Sequence, residues 1–524
     1  MQSAEFVLAL LIAVAALVTL ARRLGVAYPI FLVIGGLALG LIPGVPRIEV
    51  DPDVIFLLVL PPILYLAAFF TPLRSLRANL GAISSLAVGL VIATALAVAV
   101  VAHALIPGIT WPVALALGAI VSPPDEVAAT QVAARLAVPR SILSILEGES
   151  LLNDATALTI YRAALAAAAV GTFAVASSLG TFAVTAIGGL AIGLAVGWLI
   201  AQVRSRLEDT PVEITISLLT PYAAFLPAEA LGVSGVIATV VTGIYVGRRS
   251  SKIMGADTRL AGRAVWEMIT FLLNGFVFIL TGLEVPQVLS AAPPSAVLQL
   301  VAIGIVITIV AVLVRAGWIF GGAYLPSLLR RRRPKNRLRF AHSLVLSWAG
   351  MRGVVSLAIV LALPIQLSDG TLFPAREAIV VVTLTVIVLT LVGQGLTLPG
   401  LIRTLHLGTD ETVREEETNA KRALVEAASR RIDELYPVWP GHRPLLDQLR
   451  TSYAHRSEHV ERQAGDGSGE EGDRELIEHR EIRRNVIGAE REALLRLRSE
   501  GAIDDDVLRS LERDLDLEEQ RMDA

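Results

Sequence analysis

Apolar residues run along this chain in blocks of about twenty, separated by short polar or Pro/Gly-rich breaks. A helix rises about 1.5 Å per residue, so such a block is the length that crosses a hydrocarbon core roughly 30 Å thick. Reading the blocks between breakers predicts thirteen helices, over residues 4–20, 27–43, 53–70, 80–106, 111–134, 140–166, 179–201, 211–228, 232–247, 264–282, 294–325, 340–365 and 375–402. Turns such as Pro43-Gly44-Val45-Pro46 part them. Beyond residue 405 the pattern changes. Residues 411–436 and 474–521 mix Glu, Arg and Leu at helical spacing, and Gly465-Asp466-Gly467-Ser468-Gly469 between them reads as a flexible linker. The pattern predicts an all-α polytopic membrane protein, with a transmembrane domain over 1–405 and a charged, largely helical tail over 406–524.

Composition sharpens this division. The chain has 524 residues, 54% of them hydrophobic, with a mean hydropathy of +0.65. Its net charge of −3 averages +8 over residues 1–405 and −11 over 406–524. A soluble cytosolic, nuclear or secreted protein is excluded, and no nucleic-acid partner is expected. The absence of cysteine excludes disulfides, thiolate metal sites and cysteine nucleophiles. Arg22 and Arg23 follow the first apolar block rather than precede it, so that block reads as a retained helix and not a signal peptide.

Loop charge tests the helix count. Loops after odd-numbered spans, with the first two residues of the span that follows, hold twenty Lys and Arg, whereas those after even-numbered spans hold only Arg47 and Arg376. Basic residues gather on the cytoplasmic side, so the amino terminus is expected outside and the acidic tail inside a cell membrane. The run Arg330-Arg331-Arg332-Arg333-Pro334-Lys335 is then a cytoplasmic topology signal. Arg162, Tyr28 and Trp111 near span ends read as interfacial anchors. His103 and His342 also lie near span ends and receive no role.

The charges inside the apolar blocks carry the chemistry, because an ionisable group at bilayer depth is costly and marks a functional site by default. Asp125 on span 5, Asp154 on span 6 and Arg352 on span 12 sit near mid-span; Glu147, Glu149 and Arg315 lie in the cytoplasmic halves of spans 6 and 11. Asp154 is about 14 residues into its helix, or roughly 21 Å. Glu149 and Arg315 match in depth and are opposite in charge, which predicts a structural ion pair.

Span 5 carries Ser122-Pro123-Pro124-Asp125, where two missing backbone donors should break the helix. Span 12 carries Ala349-Gly350-Met351-Arg352-Gly353, whose glycines permit a second break. Spans 5 and 12 lie seven apart, so they run in opposite directions. Broken helices at corresponding places in two halves point to a transport site built from inverted repeats with crossing helices. Arg352 would compensate the carbonyl ends of the half-helices and Asp125 the amide ends. Asp154 would then be free to titrate. Dry surroundings disfavour its charged form, and either a proton or a small cation, but not both, can neutralise it. That is the minimal machine for cation/proton exchange. The competing structural roles are a packing residue for Asp154 and a helix cap for Asp125.

Glu147-Gly148-Glu149-Ser150-Leu151-Leu152-Asn153-Asp154-Ala155 resembles the G-E-S-L-L-N-D-A signature of the cation:proton antiporter-1 family, the sodium/proton antiporters related to eukaryotic sodium/proton exchangers. Met351-Arg352-Gly353, Arg315 and Gln394-Gly395-Leu396-Thr397 resemble further family segments. The resemblance covers residues 1–405. It implies an elevator-like homodimer embedded in membrane lipid, with alternating access around a carboxylate site. It implies that Asp154 and Asp125 bind Na+, or Li+, with Ser150 and backbone carbonyls near Pro124. It implies electroneutral one-for-one exchange with H+, Asn153 standing where electrogenic relatives carry a second aspartate. Two departures stand out. Pro124-Asp125-Glu126 replaces the usual T-D-P, and Leu66 stands where relatives often carry an acid after L-P-P.

No cofactor is expected beyond the transported ions, and no enzymatic activity. An intramembrane aspartyl protease is disfavoured because neither aspartate has a G-x-G-D context. A channel or anion carrier is disfavoured by the acid and helix-end partners expected for Arg315 and Arg352. A K+/H+ antiporter is the same-class alternative.

Overall fold

The computed structural model describes residues 2–42, 52–136, 138–170, 175–291, 294–329, 337–364, 373–405, 411–464, 469–500, 502 and 505–523. Among these residues every regular element is a helix, and they form two compact units, Met1–Thr409 and Asp410–Ala524. The Pro43–Pro46 turn, the run Arg330–Lys335 and the Gly465–Ser468 stretch lie outside the described residues.

In the first unit the elements are α1 (Gln2–Leu24), α2 (Tyr28–Gly40), α3 (Pro52–Phe70), α4 (Leu73–Ala78) and α5 (Leu80–Leu105). They continue with α6 (Trp111–Val121), α7 (Glu126–Arg135), α8 (Arg140–Val170), α9 (Val175–Arg204), α10 (Thr210–Ala230) and α11 (Gly235–Ile253). The remainder are α12 (Ala256–Ala291), α13 (Pro294–Leu329), α14 (Arg337–Trp348), α15 (Val354–Leu361) and α16 (Arg376–Leu405). Each of the thirteen apolar blocks is occupied by helix, and the fifth and twelfth are interrupted, as α6/α7 and α14/α15. Five stretches, Leu80–Leu105, Ala183–Arg204, Ala256–Pro286, Ser295–Gly322 and Arg376–Leu405, are by length and composition apolar enough to cross a membrane. The others are shortened by breaks or, like α8 with Glu147, Glu149, Asp154 and Arg162, carry charge.

Two Pro-Pro pairs behave differently. In α3, Pro61 and Pro62 sit inside a continuous helix. Pro62 cannot donate to Leu58, and Tyr222 Oη from α10 donates to that carbonyl instead, at 3.2 Å. A side chain from another helix replaces one of the two bonds the prolines remove, and the helix continues. Pro123 and Pro124 end α6.

The core of this unit is apolar, drawing Ile30 and Leu32 from α2, Leu117 and Ile120 from α6, Phe278 and Ile279 from α12, and Ile359 and Val360 from α15. Among the described residues, buried charge is sparse, and most of it is paired or caps a helix end. Arg204, counted with the loop charges above, is fully buried at the end of α9 and faces Glu213 of α10 at 3.8 Å. Arg162, expected as an interfacial anchor, pairs with Glu229 at 2.8 Å. His103 stacks on Trp111, with ring centroids 4.2 Å apart.

The second unit holds α17 (Glu411–Leu435), α18 (Arg443–Ala464), α19 (Gly469–Ser499) and α20 (Asp505–Asp523). The pattern reading missed α18, whose apolar positions are sparse among Arg, Glu and His. α19 and α20 are tied by Arg491, which reaches Asp516 and, at 2.7 Å, Glu519. These acids hold the exposed Arg491 guanidinium even more firmly protonated than an ordinary arginine.

Candidate functional site

The two helix interruptions meet, and their freed backbone groups can be followed one by one. Had α6 continued, Pro123, Pro124 and Asp125 would have bonded the carbonyls of Ala119, Ile120 and Val121. Three side chains take their place. Ser122 Oγ donates to Ala119 O at 3.0 Å, Ser356 Oγ of α15 to Ile120 O at 2.7 Å, and Arg352 Nε to Val121 O at 3.0 Å. Arg352 Nη1 also donates to Gly350 O, so one guanidinium serves carbonyls at both interruptions. The Asp125 amide, released from α6, donates to Met351 O at 2.6 Å. The Arg352 amide donates to Thr390 Oγ1 of α16 at 3.1 Å.

The Asp125 carboxylate does for the amide ends what Arg352 does for the carbonyl ends. Its Oδ1 accepts from Val127 N and its Oδ2 from Val354 N, both at 2.9 Å, so it caps α7 and α15 together. Each helix amino end carries roughly half a positive charge. Two such ends face one carboxylate and offset its charge. The second of these bonds joins residues 229 apart in sequence.

Two glycines make room for these charges. A Cβ on Gly353 would overlap the Asp125 carboxylate, and one on Gly350 would stand 2.5 Å from Arg315 Cδ. Arg315 forms a two-pronged pair with Glu149, Nη1 to Oε1 at 2.5 Å and Nη2 to Oε2 at 2.8 Å, and its Nε donates to Leu346 O at 2.9 Å. Both partners are about 1% exposed, and the pair ties α8 to α13 and to the end of α14.

Asp154 is buried on α8, four residues beyond Ser150 and therefore on the same helix face. Both line a cavity of about 40 Å³ together with Pro124, Asp125, Asn274 and Gly353. This is room for a water or two, or for one small cation stripped of most of its hydration. No hydrogen bond reaches the Asp154 carboxylate among the described residues, in contrast to Asp125. Asn153 does not line the cavity. Its Nδ2 donates to Pro124 O at 3.0 Å and so clamps the break from the α8 side.

Of the acids the sequence singled out, Asp125 and Asp154 share the cavity, Glu149 is committed to Arg315, and Glu147 is half-buried on α8 away from the lining. The side chain of Glu126 lies outside the described residues. From α3 the cavity receives only Leu60, Ile63, Leu64 and Ala67; Leu66 does not line it. Sequence reasoning missed Asn274. A lone amide in the apolar stretch Phe271-Leu272-Leu273-Asn274-Gly275-Phe276 was the available signal, but charge drew attention elsewhere.

A buried carboxylate beside two broken helices is a transporter's arrangement, and comparison with known proteins agrees. The family model described as sodium/hydrogen exchanger, transmembrane, matches residues 8–404. The chain belongs to this sodium/hydrogen exchanger family. As a family member it is a multi-pass membrane antiporter and not an enzyme. A Na(+)/H(+) exchanger of Mycobacterium tuberculosis is 35% identical over 539 residues, covering 98% of this chain and 95% of its own. The sodium, potassium, lithium and rubidium/H(+) antiporter of Bacillus pumilus is 31% identical over 411 residues, covering 76% of this chain and 61% of its own. Among solved structures, the sodium proton antiporter MjNhaP1 from Methanocaldococcus jannaschii aligns with a TM-score of 0.60 at 18% identity, covering 78% of this chain and all of that one. At that identity the likeness is one of fold. This exchanger thus shares its helical architecture with a solved antiporter.

Proposed function

We propose that this exchanger moves Na+, or Li+, against H+ in one-for-one, electroneutral fashion, by alternating access around Asp154. The observation that carries the proposal is the contrast between the two cavity carboxylates. Asp125 is bonded by the amide ends of α7 and α15, which offset its charge. Asp154 has no such partner, so its charge must be met by a proton or a cation. A site that holds one or the other returns to the same net charge after each half-cycle, and the cycle carries no net current.

Ser150 supplies a hydroxyl oxygen beside Asp154, and Asn153 fixes the Pro124 segment that shapes the cavity wall. Glu149, Arg315 and Arg352 are structural charge partners that hold the breaks in place while the occupant changes. The thirteen helical blocks and their alternating loop charge support thirteen spans in a cell membrane, with inverted repeats, an external amino terminus and a cytoplasmic tail. A homodimer in which a core moves against a scaffold completes the reading by family analogy. K+ is the second reading, favoured by the printed name of the Bacillus pumilus relative.

The test is purified protein in liposomes carrying an imposed Na+ gradient. Wild type should move protons at a rate insensitive to imposed voltage, and Asp154→Asn should abolish the movement. Full exchange by Asp154→Asn would sink the mechanism, and strong voltage dependence in wild type would sink its stoichiometry. The same assay with K+ decides the substrate.

A further inference from the structure

Resting on that reading, we infer that Asn274 is a neutral ligand of the transported cation, supplied by α12 in place of an acid from α3. Asn274 lines the same cavity as Asp125, Ser150 and Asp154, and it is 2% exposed. Its Oδ1 is buried without a hydrogen-bond donor among the described residues. The Tyr28 hydroxyl lies near the side-chain amides of both Asn274 and Gln131. A buried carbonyl oxygen without a donor calls for an electropositive partner. The cavity it lines is where the cation sits.

The ligand set of the cavity is otherwise thin. A small hard cation prefers several oxygen ligands. Two carboxylates and the hydroxyls of Ser150 and Ser356 contribute oxygens, and α3 contributes only carbon. An amide oxygen from α12 adds to the shell without adding charge. This matters for the cycle. With Asp125 balanced by two helix ends, Asp154 plus one cation is neutral, and so is protonated Asp154. A third carboxylate would leave one negative charge over in each state or recruit a further proton. Asn274 therefore sets cation affinity and the ranking of Li+, Na+ and K+, while leaving the stoichiometry to Asp154.

The experiment compares wild type, Asn274→Leu, Asn274→Asp and Asp154→Asn in proteoliposomes, measuring the KM for Na+, the maximal rate and the response to imposed voltage. Asn274→Leu should raise KM about tenfold or more, with the loss falling on KM rather than on the maximal rate. Asn274→Asp should lower KM at alkaline pH, where the added carboxylate is ionised. If Asn274→Leu does not fold, Asn274→Asp decides. An unchanged KM in either folded variant overturns the assignment and leaves Asn274 as a packing residue. Continued exchange by Asp154→Asn would instead overturn the exchange reading, so the two failures are distinguishable.

Discussion

The Glu149–Arg315 pair invites the most exacting test, because its partners can be removed singly or together. Arg315→Ala deletes three donors at once. The Glu149 carboxylate loses both of its bonds, at 2.5 and 2.8 Å, and the Leu346 carbonyl loses its bond at 2.9 Å. Breaking a buried ion pair on one side costs about 3–5 kcal/mol, since a charge is left without a partner. An unsatisfied buried carbonyl adds about 1–3 kcal/mol. The single variant should therefore lose about 4–8 kcal/mol. With an unfolding entropy of about 2.1 cal/mol/K per residue over roughly 400 residues, that is a fall in Tm of about 5–10 °C. Removing the carboxylate as well, in Glu149→Leu with Arg315→Met, leaves only the Leu346 carbonyl unmet and should cost about 1–3 kcal/mol, or about 1–4 °C. Thermal unfolding followed by tryptophan fluorescence in detergent micelles measures both. A double variant that melts as low as Arg315→Ala would refute the view that an uncompensated charge dominates the loss.

Three further outcomes follow from the same geometry. Gly353→Ala places a methyl group on the Asp125 carboxylate and should lower the exchange rate at least about tenfold, through loss of the cap on α7 and α15, measured in proteoliposomes at saturating Na+. Arg352→Lys should fail to restore what Arg352→Gln loses, because one ammonium cannot span Val121 O and Gly350 O as the planar guanidinium does; Tm within about 2 °C of wild type for the lysine variant would contradict this. If one proton and one cation compete for one carboxylate, falling pH fills Asp154 with protons and the apparent KM for Na+ rises, by about tenfold per pH unit on the acid side. A limiting slope near a hundredfold would mean that both cavity carboxylates titrate.

Much of this protein was legible in its sequence, for a reason particular to membranes. Where no water can bond the backbone, each crossing must satisfy itself, so element length and element type are written directly in the apolar blocks. The same scarcity of water makes Asp125, Asp154, Glu149, Arg315 and Arg352 conspicuous, and makes Pro123-Pro124 an evident breaking point. Local sequence did not decide whether a Pro-Pro pair breaks a helix. Pro61-Pro62 does not, and Tyr222 from another helix meets one of the two carbonyls it frees, Leu58 O. Nor could it place Arg204, which looks like a loop charge and is fully buried opposite Glu213, or find α18, whose apolar residues are too few to stand out.

The sequence by itself determined where the apolar helical blocks lie, that a charged tail follows them, and the short roster of charges within the blocks. The tertiary structure alone decided which groups meet: Asp125 with the amide end of α15, Arg352 with the carbonyl end of α6, and Asn274 with the cavity of Asp154. Helix formation depends on residues three or four apart, which one chain displays openly. These encounters join residues more than a hundred positions apart, and only the packing of helices brings them within bonding distance.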